Sequence, residues 1–432
     1  MIRALHACGW LAAFCPAVFA TGAALAQPAD PTPAQAPVSI PMRPVPSPAA
    51  EAQAFARWRA LFRVRALEAG ISTATFDAVS DQLRYDAHPI QRDRAQPEFT
   101  LTPAEYLARA VSEARIRTGK AMLAQYGATL DAIERRYGVE KEILVAIWGL
   151  ESNYGLFRGE TPVITALASL AYDGRRAAFF ESQLLAALRI LDSGQAAPDH
   201  LLGSWAGAMG HTQFMPTTYL AHAVDFAGDG HSDIWSEDPV DALASAAAYL
   251  AQSGWRRGVP WGAEIALPTG FDFAQAGRHV QHSMGYWRAA GITAIPAVPD
   301  TLPTRGEGSI LLLMGAQGPA FMVFENFAAL MHYNSAESYA LAVGHLSDRL
   351  QGKPAVVTPW PQQLRALRRH ERWELQSLLA QQGFDVGKAD GIIGPQTRAA
   401  LRAYQRAHGL VADAYPSDAL LEHLRRSGTA RP

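Results

Sequence analysis

The stretch WGLESNYG places one carboxyl group, that of Glu151, where an apolar helical pattern ends. Ile143, Ile147 and Glu151 follow at intervals of four and share a helix face, whereas Ser152 to Gly155 favour a turn. A carboxyl group packed against apolar neighbours loses hydration, which raises its pKa. The pattern therefore predicts a glutamate suited to general acid catalysis near neutral pH. A plain helix-end cap or ion-pair partner is the alternative.

A second stretch, GSWAGAMGHTQFMP, combines three closely spaced glycines with polar side chains. Glycines at such spacing allow a close approach of the backbone to a ligand or to another segment. Ser204, His211, Thr212 and Gln213 stand between and after them and are able to line a cleft. A tight loop packed beneath the core is the alternative.

Other polar groups precede two of the predicted helices. Arg175 and Arg176 start a helix, where their charge opposes the helix dipole, so they are candidates for contact with a ligand. Tyr333, Asn334 and Tyr339 supply aromatic and amide groups before and within the last helix of the large region. For each of these residues a solvated or purely structural role remains open.

The segment AVDFAGDGHSDIWSEDP resembles a calcium-binding loop. Asp225, Asp229 and Asp233 match positions 1, 5 and 9 of the EF-hand pattern, with a glycine at position 6. However, position 3 is Ala227 and position 12 is Ser236, neither of which offers a carboxylate. A calcium site and a polar surface turn are both open, and we expect no cofactor to be required.

Composition narrows the class of protein. The 432 residues carry a formal net charge of −2, which gives no electrostatic basis for binding nucleic acid. Residues 1–26 have one early positive charge, an apolar run and an Ala-Leu-Ala ending, the layout of a secretory signal peptide. Both cysteines, Cys8 and Cys15, lie in that segment. We therefore expect a mature chain without disulfides or thiol chemistry. We also expect no membrane span in it, because no later stretch is long and apolar enough to cross a bilayer.

The pattern of elements predicts a mainly α (α+β) protein. A proline- and alanine-rich linker at residues 27–50 precedes a large helical region at residues 51–350. Within that region SILLLMGAQGPAFMVFENF predicts a small β-hairpin. A second linker at residues 351–363 leads to a small three-helix unit at residues 364–428.

Several of these motifs, in this order, resemble a known family. WGLESNYG, YDGRRAAFF, GSWAGAMGHTQFMP, AVDFAGDG, DALASAAAYL and YNSAESYA are similar to segments of lytic murein transglycosylases of the B type, across about residues 52–350. This resemblance implies a lysozyme-like catalytic domain. LQSLLAQQGF, DGIIGPQT and YQRAHGL resemble a helical peptidoglycan-binding module. Asp413-Ala414 departs from the Asp-Gly that is usual in its second turn.

The resemblance also implies roles for individual residues. Glu151 matches the single catalytic acid and base of the family. Further positions match residues of the family's substrate groove: Ser204, Gln213, Arg175, Arg176, Tyr333, Asn334 and Tyr339. His211 stands where an uncharged polar or aromatic residue is usual, which predicts affinity that depends on pH near neutrality.

The implied reaction is cleavage of the β-1,4 bond between N-acetylmuramic acid and N-acetylglucosamine, without water, to give 1,6-anhydromuramic ends. We expect a monomer acting in the periplasm on peptidoglycan glycan strands, with cell-wall synthesis proteins as candidate partners. One alternative is a lysozyme-type hydrolase, which needs a second carboxylate such as Asp173 or Asp225. The other is a non-catalytic peptidoglycan-binding protein.

Overall fold

The computed structural model describes residues 47–95, 101–296 and 302–429. The predicted signal peptide and the linker up to residue 46 lie outside this part. The α-helices are α1 Pro48–Glu68, α2 Thr73–Ala78, α3 Ala87–Ala95, α4 Pro103–Ala110, α5 Glu113–Gln125, α6 Gly127–Tyr137, α7 Lys141–Ser152, α8 Val163–Asp173, α9 Ala177–Asp192, α10 Pro216–His222, α11 Val240–Gln252, α12 Met284–Ala289, α13 Glu325–Tyr333, α14 Glu337–Leu350, α15 Arg369–Gln381, α16 Pro395–Ala407 and α17 Asp418–Thr429. None of the helices in the described ranges is both long and apolar enough to cross a bilayer.

Two small antiparallel sheets accompany the helices. The strands are β1 Thr161–Pro162, β2 Leu202–Gly203, β3 Gly262–Ala266, β4 His282–Ser283, β5 Thr293–Ala294, β6 Glu307–Leu312 and β7 Ala320–Val323. β1 pairs with β2, and the other five form one sheet in the order β4-β6-β7-β3-β5. The predicted mainly α fold is confirmed, and so is the hairpin, which is β6–β7 with Ser309 opposite Val323. The short strands β1, β2, β4 and β5 were not predicted, because two residues are too few to show alternation.

Helix α7 forms the centre of the larger core. Nine of its twelve residues are buried, including Ile143 and Ile147, and it packs against α14, α5, α11 and α6. The helix ends at Ser152 because Asn153 adopts a left-handed backbone with φ of 50°. Glu151 therefore lies in the last turn of a helix that is almost fully enclosed by apolar side chains, as its sequence pattern predicts.

A second hydrophobic core forms around α8 and α9, with α1 to α3 packed against them. Phe180, Leu184 and Leu188 of α9 are fully buried in it. Tyr333, at the end of α13, packs against both cores. The boundary between the cores is thus the place where the end of α7 meets the loop that precedes α10.

The C-terminal helices α15 to α17 enclose a small core of their own, and this unit contacts the large region at more than one place. The carboxylate of Asp413 accepts a hydrogen bond of 2.9 Å from the backbone N–H of Ala316, at the tip of the β6–β7 hairpin. A Cβ on Gly315 would lie 2.3 Å from that carboxylate, so only glycine allows the contact. Arg406 also pairs with Asp272 at 3.3 Å.

We predict that Gly149→Ala destabilises the protein, although alanine is the better helix former by about 1 kcal/mol. A Cβ at this position in α7 would lie 2.6 Å from the ring of Tyr154, whose hydroxyl donates to the carbonyl of Arg115 at 2.7 Å. Overpacking of this kind costs about 1–3 kcal/mol, so the free energy of unfolding should fall by about 1–2 kcal/mol. Urea unfolding measures the change.

Gly127→Ala is the matched control, because Gly127 also lies in a helix and nothing is within 4 Å of its added Cβ. It should be neutral or slightly stabilising. Equal effects of the two substitutions would contradict the assignment of the Tyr154 ring as the cause.

Candidate active site

Glu151 is a buried carboxyl group with one hydrogen-bond donor from a neighbouring helix. Its residue is 4% exposed, and the hydroxyl of Tyr339 in α14 donates to its Oε1 at 2.6 Å. Burial raises the pKa of Glu151 to about 8, and the hydrogen bond from Tyr339 acts in the opposite direction. At neutral pH the carboxyl group therefore holds its proton, as the sequence pattern predicts, and it is able to release and regain that proton near ambient pH.

The chain after Glu151 is fixed by a turn of unusual backbone conformation. Asn153 and Tyr154 both have a left-handed backbone, with φ of 50° and 61°. The hydroxyl of Ser152 accepts a 2.9 Å hydrogen bond from the N–H of Gly155 and donates to the carbonyl of His211 at 2.6 Å. These bonds attach the end of α7 to the glycine-rich loop, residues 203–216, across the boundary between the cores.

A cleft opens beside Glu151. Its walls combine one carboxyl group with aromatic, amide, hydroxyl and small apolar groups: Glu151, Ala206, Ala208, Gln213, Phe214, Met215, Thr218, Tyr249, Tyr333 and Asn334. Among the described residues that line it, Glu151 is the only acid. The composition of these walls, largely apolar with a few polar groups, is typical of a site for a small organic or saccharide ligand.

Gln213 reaches the cleft wall through a strained backbone. Its φ is 52°, in the left-handed region that a glutamine seldom adopts. Its side-chain nitrogen donates to the carbonyls of Gly210 at 2.7 Å and Arg158 at 3.0 Å. Because the nitrogen is held by the protein, the carboxamide oxygen is the acceptor that Gln213 offers to a ligand.

Two tyrosines stack beside Glu151. The rings of Tyr333 and Tyr339 are parallel within 7°, with centroids 6.5 Å apart, and the hydroxyl of Tyr333 donates to the carbonyl of Thr212 at 2.6 Å. Burial raises the pKa of both hydroxyls well above the usual value, so both remain protonated donors. Asn334, which also lines the cleft, accepts a 3.0 Å bond from the N–H of Ala336 and so orders the entry to α14.

Four predicted groove residues are not among the described residues that line this cleft: Ser204, Arg175, Arg176 and Tyr339. The hydroxyl of Ser204 accepts bonds from the N–H groups of Ala206 and Ala208, so it braces the glycine-rich loop from within. Arg175 pairs with Asp93 at 2.7 Å. The guanidinium of Arg176 lies over two rings, 4.6 Å from the centroid of Phe180 in the nearer case. Tyr339 instead contacts Glu151 directly, and the predicted groove contacts of the other three side chains stay predictions.

His211 does not line the cleft either, so the predicted pH dependence of affinity has no direct contact with a ligand in the cleft and stays a prediction. Its ring is buried, and burial lowers its pKa below the usual value. Trp148 donates to Nδ1 at 3.0 Å, and the carbonyl of Ser236 lies 2.7 Å from Nε2. Both ring nitrogens are therefore engaged within the protein.

Three carboxylates converge at the acidic loop, and two of them are among the three that the EF-hand spacing predicts. Oxygens of Asp225, Asp229 and Asp241 lie within 4.8 Å of one another. Asp233 instead accepts bonds from the N–H groups of Trp235 and Ser236 and so closes its own turn. Asp241, from α11, takes its place in the cluster. Carboxylate oxygens converging in this way fit the donor set that Ca²⁺ prefers.

Several cleft residues could not be found from sequence. Tyr249 stands in an alanine-rich helix, and its hydroxyl donates to the carbonyl of His332 at 2.7 Å. Thr218 and Met215 follow the glycine-rich loop without any distinguishing pattern. Tyr106, on α4, is close enough that the charge of Glu151 raises its pKa, although burial is the larger cause. For Tyr249, the one available signal was its position as a tyrosine in an otherwise alanine-rich helix.

Comparison with known proteins identifies relatives of both regions. A family model for the transglycosylase SLT domain matches residues 54–348, and one for a peptidoglycan binding domain matches residues 368–424. Membrane-bound lytic murein transglycosylase B of Escherichia coli (strain K12) is 36% identical over 250 residues, which is 56% of this chain and 66% of that protein. The match thus spans just under two thirds of that relative.

Two solved structures are similar over most of the chain. One is SltB3 from Pseudomonas aeruginosa in complex with NAG-anhNAM-pentapeptide, with a TM-score of 0.83 and 47% identity, covering 86% of this chain and 100% of that chain. The other is the lytic transglycosylase Slt35 from Escherichia coli in complex with calcium, with a TM-score of 0.59 and 28% identity, covering 70% of this chain and 94% of that chain.

We predict that Glu151→Gln removes a pH dependence of stability. The pKa of Glu151 is about 8 in the folded chain against an ordinary 4.5, so the folded state alone keeps this proton between those values. The contribution of Glu151 to the free energy of unfolding is fully present below pH 4.5 and is lost as the pH rises to 8. Relative to Glu151→Gln, the wild type should lose roughly 1.4 kcal/mol per pH unit in that window.

Urea unfolding of both proteins at pH 5, 6, 7 and 8 measures the difference. A difference that stays constant across the four values would show that Glu151 is ionised in the folded chain and would contradict the assignment.

Proposed function

The chain belongs to the family of transglycosylase SLT domains, and from that membership we propose how it acts on peptidoglycan. It cleaves the β-1,4 bond between N-acetylmuramic acid and N-acetylglucosamine without water and leaves a 1,6-anhydromuramic end. The observation that carries this proposal is the protonated Glu151, the only acid among the described residues that line the cleft. One carboxyl group that alternates between acid and base is sufficient for this reaction.

In the first step Glu151 acts as a general acid. Its proton passes to the glycosidic oxygen as the bond from that oxygen to the muramyl C1 breaks, and the N-acetylglucosamine side leaves as an alcohol. The C2 acetamido oxygen of the substrate stabilises the positive charge that develops at C1. The hydroxyl of Tyr339, 2.6 Å from Oε1, donates to the carboxylate that forms. Hydrogen bonds to ionised groups are roughly twice as strong as neutral ones, so this contact strengthens as the proton leaves.

In the second step Glu151 acts as a general base. The C6 hydroxyl of the same muramyl residue attacks C1, a new C1–O6 bond forms, and the hydroxyl proton returns to the carboxylate. The enzyme is then in its starting state, with no atom exchanged with water. A pKa of about 8 suits both halves of the cycle, since the group is protonated before the reaction and remains a competent base during it.

A lysozyme-type hydrolase would need a second carboxylate facing Glu151. The two acids considered from sequence are engaged elsewhere. Asp173 pairs with Arg94, and Asp225 accepts backbone N–H groups of its own loop, with Gly230 as one donor at 2.8 Å. Neither is among the described residues of the cleft wall, which favours the anhydro product over hydrolysis.

We further propose that the C-terminal module binds the glycan strand near the site of cleavage. Its match to a peptidoglycan binding domain supports this. The proposed location is the periplasm, supported by the signal-peptide pattern of residues 1–26 and by the nature of the substrate. A monomeric enzyme that meets cell-wall synthesis proteins there remains part of the same proposal.

We propose that no metal takes part in the chemistry. Asp225, Asp229 and Asp241 would hold Ca²⁺ if it binds, and the ion would neutralise their charges and stiffen the loop. Every proton transfer described above uses only Glu151 and groups of the substrate. The acidic cluster and the carboxyl group therefore have separate tasks.

Glu151→Gln should keep the fold and lose activity by roughly 10³-fold or more, because the amide can neither give nor take the proton. Digestion of purified sacculi followed by mass spectrometry of the soluble fragments measures both rate and product. We expect 1,6-anhydromuramic ends from the wild type. Reducing muramic ends would contradict the transglycosylase mechanism, and substantial activity in the folded variant would remove Glu151 from its role.

Chelation of divalent cations with EDTA should leave the initial rate of sacculus digestion unchanged within about twofold, since no proposed step passes through a metal. The assay is run well below the unfolding temperature so that any loss of loop stability does not enter the rate. A large loss of rate that added Ca²⁺ restores would show that the acidic cluster is needed for activity.

A further inference from the structure

His211 lies behind the cleft, two residues before Gln213. Its side chain is buried between α7 and the segment 233–237, and its ring meets the ring of Trp148 edge to face with centroids 5.7 Å apart. The reaction steps described above do not use it. A buried titratable group that contacts Ser152, the residue next to the reacting glutamate, has a role that the proposed mechanism leaves unexplained.

The hydrogen bonds of the ring select one neutral form. Trp148 can only donate through Nε1, and it lies 3.0 Å from Nδ1 of His211, so Nδ1 carries a lone pair. The carbonyl of Ser236 can only accept, and it lies 2.7 Å from Nε2, so Nε2 carries the hydrogen. The nearby Nη1 of Arg158 can only donate, and it donates to the same carbonyl at 3.0 Å rather than to the ring. The structure therefore assigns the neutral Nε2–H tautomer.

The backbone of His211 joins the same segments. Its N–H donates to the carbonyl of Ile234 at 3.1 Å, and its carbonyl accepts from the hydroxyl of Ser152 at 2.6 Å. The ring fits closely against the turn after α7, because a Cβ on Gly155 would lie 2.5 Å from its Cε1. One residue thus fixes the loop of Gln213 to the helix of Glu151.

Protonation of the ring would break this arrangement. A proton on Nδ1 would face the N–H of Trp148, so a donor would oppose a donor. The guanidinium of Arg158, 3.2 Å from Nε2, would also repel the added charge. Glu237 and Asp233 favour the cation but exert smaller effects, and burial, the largest cause, lowers the pKa of His211.

We propose that His211 is a positioning residue whose neutral imidazole holds Gln213 and Glu151 in register, and that its protonation limits activity on the acid side. The proposal rests on the proposed function, since it concerns the same reaction. Glu151 stays protonated in acid and so accounts for the alkaline limb of the pH profile, near pH 8, and for no loss below neutrality. The acid limb belongs to His211.

The test is the pH dependence of kcat/KM, from pH 4.5 to 9, for release of anhydro product from a soluble peptidoglycan fragment. His211→Gln keeps a donor towards Ser236, and His211→Asn keeps an acceptor towards Trp148, but neither amide titrates. We expect an acid limb below the usual histidine pKa in the wild type. In at least one amide variant, the ratio of kcat/KM at pH 5 to that at pH 7 should rise by about threefold or more.

The alkaline limb should not move in either variant. His200→Gln, at an exposed histidine in the segment before β2, is the matched control and should keep the wild-type profile. An acid limb that persists in both folded amide variants, or its absence from the wild type, would overturn the proposal. Reducing ends in place of anhydro ends would instead count against the proposed function, whatever the shape of the profile.

A second measurement keeps the proposal testable if neither amide variant folds. In the wild type, the ¹⁵N chemical shifts of the His211 ring report which nitrogen carries the hydrogen and the pH at which the other gains one. We expect the Nε2–H form at neutral pH and a titration midpoint that coincides with the acid limb of kcat/KM. The other tautomer, or midpoints a full pH unit apart, would exclude His211 as the origin of that limb.

Discussion

The burial of one carboxyl group against a single hydrogen-bond donor governs the site. An ionised carboxylate in a dry interior costs several kcal/mol, so Glu151 stays neutral unless a partner supports its charge. Tyr339 is that partner, but one hydroxyl offsets only part of the cost, and the pKa settles at about 8. A second donor or a nearby cation would stabilise the ionised form and remove the acid. Without any donor, the pKa of Glu151 would rise further, and the carboxyl group would release its proton too slowly to act as an acid.

The surrounding fold preserves that balance through its layout. α7 carries the carboxyl group out of the larger core and ends abruptly at the left-handed Asn153, so Glu151 stops at the boundary between the two cores. Tyr333 lines the cleft and stacks on Tyr339, which donates to the carboxyl group. The strained Gln213 approaches from the glycine-rich loop. These groups come from different elements, so the geometry of the site depends on the packing of the whole region.

Local pattern was enough for the parts of the site that the chain builds locally. The interval of four from Ile143 to Glu151 and the turn formers after it predicted the buried helix end. The sequence did not predict Asp241, because it enters the acidic cluster from the next helix, beyond the span of the loop pattern. Similarly, Tyr249 joins the cleft only through the packing of α11, which residue spacing does not encode. The hydroxyl of Ser204 accepts hydrogen bonds from its own loop, and its predicted contact with the substrate stays a prediction.

The contact between Asp413 and the tip of the β6–β7 hairpin changes how the wall-binding module acts. A module on a free tether would present its ligand at an effective concentration set by the length of the linker. Here the module contacts the hairpin of the catalytic region, so the distance from the module to the cleft is set by this contact and not by the length of the linker. A change in the length of the linker would then alter the position of the module little. Replacing Gly315 would break the contact with Asp413 and leave the module attached only by the linker and its weaker surface contacts.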